Sequence, residues 1–69
     1  MEAVVQIIVN GESVAIARMA VLHYLESLSI EPQRVAVELN RTIVQRQTWD
    51  QAIVGPGATL EIVQFVGGG

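Results

Sequence analysis

Cysteine and lysine are both absent from the 69 residues, histidine occurs once, and phenylalanine, tyrosine and tryptophan occur once each. Without cysteine there is no disulfide framework, no thiolate metal site and no thiol nucleophile. His23 alone cannot assemble a metal cluster or a histidine-dependent triad. This inventory argues against an autonomous enzyme. Met1-Glu2-Ala3-Val4 has no basic leader region, and no uninterrupted apolar stretch is long enough to cross a bilayer. The expectation is a soluble, cytoplasmic protein. All four positive charges are arginines (Arg18, Arg34, Arg41 and Arg46) and the net charge is −3. Nucleic acid would ask for a basic face, so it is excluded as a partner.

Apolar residues are plentiful. They make up 51% of the chain but only 4% of it is aromatic, so the load is aliphatic. A domain this small has too much surface to bury all of it. An exposed apolar patch is therefore expected, and such patches usually mark a partner surface.

Ala3 to Val9 is apolar and β-branched and runs into Asn10-Gly11, a pair suited to a type I′ hairpin turn because both residues accept φ > 0. Glu12 to Ala17 is the returning strand, with Val14 and Ile16 on one face. Between Ala20 and Leu28 the period becomes helical. Val21, Leu22, Leu25 and Leu28 fall on one side, with His23, Glu26 and Ser27 on the other, and Ser29 and Pro32 end the helix. Arg34 to Leu39 alternates again, placing Val35, Val37 and Leu39 opposite Ala36 and Glu38. Asn40-Arg41 turns into a short Thr42-Ile43-Val44 strand. Gln47 to Ile53 reads as a helical turn around Trp49, Gly55-Pro56-Gly57 as a tight connection, and Ala58 to Val66 as a long last strand.

The order β-β-α-β-β-β gives an α+β domain: a mixed sheet of four to five strands with one helix on one face, laid out as a ubiquitin-like β-grasp. The last strand is expected beside the first, in the middle of the sheet. One domain is expected over residues 1–66, with 67–69 as a flexible tail.

That tail is Gly67-Gly68-Gly69. Glycine gains nothing from packing and loses the most entropy on ordering, so three in succession do not serve stability. They form a thin leash able to slide into a narrow slot of another protein, ending in the Gly69 carboxylate. Capture of a C-terminal carboxylate is a recurrent recognition mode. A merely disordered end is the alternative.

Side chains alternate along a strand, so Val63 and Phe65 share a face opposite Leu60, Ile62 and Gln64. Val63, Phe65 and Val66 are a candidate docking surface that positions the tail. Val63 and Phe65 could instead cover a small second cluster with Trp49. Trp49 reads as a satellite core residue, His23 as solvated and Tyr24 as an edge of the helix–sheet core. Glu38 reads as an exposed strand residue, and Arg41 and Arg46 as solubilising turn residues.

Val9-Asn10-Gly11-Glu12 near the start, Arg34 to Asn40 in the middle, and Leu60 to Gly69 at the end together resemble the ThiS type of sulfur carrier in thiamine biosynthesis. The resemblance runs over nearly the whole chain. Two departures stand out. Gln45-Arg46 replaces a common Pro-Arg, and Gly55-Pro56-Gly57-Ala58 replaces an Asp-Gly-Asp-like loop. The resemblance implies a protein co-substrate and not an enzyme, with no cofactor or metal of its own. An E1-like adenylyltransferase of ThiF type, using ATP and magnesium, would convert the Gly69 carboxylate to an acyl-adenylate. A cysteine-persulfide donor would then leave a Gly69 thiocarboxylate, and thiazole synthase of ThiG type would take that sulfur into the thiazole ring. Gly67 and Gly68 would thread the partner's channel. The other readings are a molybdopterin-synthase small subunit with the same tail chemistry, an interaction module without it, and a conjugation tag forming isopeptide bonds.

Overall fold

Two hairpins, each turned by two residues of positive φ, frame the sheet. The computed structural model describes residues 4–65. β1 (Val4–Val9) and β2 (Glu12–Ala17) pair antiparallel in unbroken register from Val4↔Ala17 to Val9↔Glu12. Asn10 (φ 48°) and Gly11 (φ 85°) make the turn between them, as a type I′ turn demands. After a two-residue strand β3 (Met19–Ala20), helix α1 (Val21–Ser27) crosses to the other side of the sheet. β4 (Val35–Leu39) and β5 (Thr42–Ile43) form the second hairpin through Asn40 (φ 53°) and Arg41 (φ 70°). A short β6 (Ile53–Val54) precedes β7 (Thr59–Gln64).

The main sheet has the order β2-β1-β7-β4-β5. β7 lies parallel to β1 and antiparallel to β4, so the last strand occupies the protected centre as the sequence predicts. The mixed five-stranded sheet with one helix is the β-grasp arrangement.

Several boundaries move. The helix is shorter than the expected Ala20–Leu28. Ser29 takes φ 59° and Ile30 N–H reaches back to Leu25 O, which closes the helix in a left-handed turn. Leu28 is thereby swung outward and exposed, while Tyr24 and Ile30 pack on the core in its place. The expected helical turn over Gln47 to Ile53 is in fact a 3₁₀ turn at Arg46–Thr48 that continues past Trp49, and Ile53 has left it for β6. β6 pairs with β3 through Met19↔Val54 and Ala20↔Ile53. Two-residue strands are too short to show a period, and the sequence gives no sign of this ladder. β5 stops at Ile43, one residue short of the expected end, although Val44 N–H still donates to Val37 O (2.9 Å). Ala3 and Val66, expected within the first and last strands, lie outside the described residues.

The core fills the space between the helix and one sheet face. Ile7, Val21, Leu25, Val37, Val54 and Leu60 are essentially sealed from solvent. Fully burying each such side chain stabilises the fold by about 1.5–3 kcal/mol. Trp49 belongs to this same cluster and not to a satellite, and its indole Nε1–H donates to Val44 O (3.0 Å). The helix has no side-chain N-cap. Its first N–H groups are met by the loop beneath it, Val21 N–H by Ala52 O (2.8 Å) and Leu22 N–H by Trp49 O (3.1 Å).

Candidate functional site

β7 serves two surfaces at once because its side chains alternate. Leu60 and Ile62 point towards the helix, Leu60 fully buried. Val63 and Phe65 point to the helix-free face, and each is 57% exposed. They do not cover a second cluster with Trp49, which is only 2% exposed within the main core.

The cross-strand register gives the other residues of this face. Val63 stands opposite Ala36, and Glu61 opposite Glu38, which is in turn opposite Ile43. On the far side, Ile8 is level with Thr59, and Val4 lies on the same face as Ile8. Val4, Ile8, Ile43, Val63 and Phe65 are five of the seven large hydrophobic residues exposed among the described residues. The helix-free face thus carries Val63, Phe65 and Ile43 near one end and Val4 near the other, with Gln6, Glu38, Thr59 and Glu61 among them. Ile8, Ile43 and Val4 were legible as strand residues, but their sharing a face with Val63 needs the register, which composition does not supply.

The exit of β7 is held from both sides. On the β4 side, Phe65 N–H donates to Arg34 O (2.7 Å). On the β1 side the strand has already turned away, and the Asn10 side chain takes over. Ile62 N–H donates to Asn10 Oδ1 (2.7 Å), and Asn10 Nδ2 donates to Ile62 O (3.2 Å). The side-chain amide stands in for a peptide unit of the missing strand. Asn40 does something similar at the other end of β7, where Thr59 N–H donates to Asn40 Oδ1 (3.0 Å) and Asn40 N–H to Thr59 O (2.7 Å). Sequence reading takes both asparagines for turn residues alone. Nothing local distinguishes the clasps, which span 52 and 19 residues.

Val66, Gly67, Gly68 and Gly69, the rest of the candidate site, lie outside the described residues. Phe65 borders a groove of about 350 Å³ that is also lined by Pro32, Gln33, Ile43, Gln45 and Arg46 and floored by the nearly sealed Val37 and Trp49. His23, Arg41 and Arg46 are exposed and Glu38 is half-buried. Arg34 pairs with Glu31 (3.3 Å), the one salt bridge among the described residues. Among those residues no three His, Asp or Glu side chains come together as metal ligands would, and no helix is long and apolar enough to span a membrane.

The model of the ThiS family matches residues 7–69. A thiazole synthase of Paramagnetospirillum magneticum is 40% identical over 65 residues, 93% of this chain. A thiazole synthase of Magnetococcus marinus is 38% identical over 45 residues, 65% of the chain. The chain spans only 20% of the first relative's length and 14% of the second's. The crystal structure of a thiamine biosynthesis protein (ThiS) from Geobacter metallireducens superposes with a TM-score of 0.80 at 29% identity, covering 93% of this chain and 99% of that one. The solution NMR structure of a thiamine biosynthesis protein from the same organism gives 0.78, again at 29% identity, with 93% and 87% covered.

Proposed function

This chain belongs to the ThiS family, and on that premise we propose that it carries sulfur for thiamine biosynthesis on the carboxyl group of Gly69. The observation that carries the proposal is the exposed apolar pair at the end of the last strand, Val63 and Phe65, which only Val66 separates in sequence from Gly67-Gly68-Gly69. The body supplies the docking surface and the tail supplies the reacting atom.

A carboxylate is a poor electrophile. In the proposed cycle a ThiF-type adenylyltransferase, holding ATP and magnesium, lets the Gly69 carboxylate attack the α-phosphorus and expels pyrophosphate. A cysteine persulfide of the sulfur donor then attacks the acyl carbon, and AMP leaves. A thiol cleaves the resulting acyl disulfide, leaving sulfur on Gly69 as a thiocarboxylate. The chain is the substrate of these steps and not their catalyst. Lacking cysteine, it cannot capture its own activated end through a thiol. A ThiG-type thiazole synthase is the proposed acceptor, consistent with the names of the two relatives that contain a similar segment. Gly67 and Gly68 keep the tail narrow enough for a channel in which a Cβ would collide.

Intact mass after incubation with ATP, magnesium, a sulfur source and a thiamine-pathway adenylyltransferase tests the proposal. The expected gain is one oxygen-to-sulfur exchange, localised to Gly69 by fragmentation and abolished in Gly68→Val. An unchanged mass, with the enzyme active on its own carrier, overturns it. Deletion of Gly69 separates a carrier from an interaction module: the carrier loses all sulfur transfer, and the module keeps its partner.

A further inference from the structure

β1 ends before β7 does. Past Val9↔Leu60 the parallel pairing stops, and Asn10 N–H to Leu60 O (2.9 Å) is the last backbone bond on that side among the described residues. The Asn10 amide adds one more rung by pairing with both the N–H and the C=O of Ile62. Beyond it, β7 is held only from the β4 side, through Val63↔Ala36, Gln64↔Val35 and the Phe65–Arg34 bond. Ile62 immediately precedes Val63, the first residue of the exposed apolar pair. The Asn10 clasp is therefore the last two-sided anchor before the surface and tail that the activating enzyme must engage.

We propose that Asn10 is a positioning residue for tail activation: its side chain fixes the exit of β7 so that Val63 and Phe65 are presented in one arrangement. This rests on the sulfur-carrier reading above. Without the clasp, the end of β7 is free to rock on its β4 contacts. The enzyme then meets a competent arrangement only part of the time, and the apparent affinity for the carrier falls by that fraction. Once the carrier is bound, the glycyl carboxylate reacts as before.

Asn40 supplies a control, although its side chain makes one hydrogen bond to β7 where that of Asn10 makes two. It sits in the same kind of turn at nearly the same φ (53° against 48°), is exposed as Asn10 is, and clasps β7 at Thr59, the end remote from the tail. Glycine tolerates positive φ, so Asn10→Gly and Asn40→Gly each remove a clasp without straining the turn. Adenylation kinetics with the carrier as varied substrate are expected to show KM raised about tenfold in Asn10→Gly, with kcat within about twofold. Asn40→Gly, which removes one bond rather than two, should lower Tm by less and leave KM unchanged. Amide exchange should quicken at Ile62 in the first variant and at Thr59 in the second. Equal KM values for the two variants, or undisturbed exchange at Ile62 in Asn10→Gly, overturn the inference. A wild-type chain that the enzyme never adenylates overturns the carrier reading itself, and the positioning role with it.

Discussion

Gln45 stands where the family commonly carries proline, and its backbone is already shaped for one, with φ −64° and ψ 140°. The last backbone bond of the second hairpin is made by Val44 N–H, so a proline at 45 takes no donor from the ladder. Gln45→Pro is expected to stabilise the fold by about 0.4–1 kcal/mol, chiefly by restricting the unfolded chain. In a domain of this size that raises Tm by about 2–8 °C, measurable by thermal unfolding.

At the scale of elements, β7 is the part whose two faces lie in opposite surroundings, Leu60 in the core and Val63 and Phe65 in solvent. Replacing Val63 and Phe65 together by glutamine alters only the solvent side. Each change is expected to cost no more than about 0.5 kcal/mol, as exposed substitutions usually do. The pair should still cut kcat/KM for tail adenylation at least tenfold if this face docks, and activity assays beside a melting curve check both halves. Most of the element plan was legible in the sequence. Asn10-Gly11, the switch to helical spacing after Ala20 and the alternation of Leu60 to Phe65 are local signals, and each led to the element it forecast. The β3–β6 ladder was not legible, because two-residue strands have no period. Leu28 misled because helical spacing cannot foresee where the helix stops, and Ser29 stops it early. For the site, Val63 and Phe65 could be read from alternation alone. The wider face of Val4, Ile8 and Ile43, and the Asn10 clasp, depend on partners far away in the chain.

At the scale of the molecule, the reserve of stability is small. Domains hold roughly 0.05–0.15 kcal/mol per residue, which for this chain is about 3–10 kcal/mol. Leu60 is fully buried on the central strand, against the helix. Leu60→Ala is expected to cost about 2–5 kcal/mol. That takes much of the whole, and chemical denaturation should show a correspondingly lower midpoint with an unchanged slope. The exposed face that carries Val63 and Phe65 should be lost along with the core when the chain unfolds, since one strand builds both.

The central place of β7 also bears on chains that are cut short. β2-β1 and β4-β5 are two hairpins that touch in the main sheet only through β7. A fragment broken off before Thr59 lacks the strand that joins the two hairpins, and with it Val63, Phe65 and the tail. The exposed pair Val63 and Phe65 therefore takes its place in a sheet only when the chain reaches the end of β7, so the completeness of this face follows the completeness of the fold.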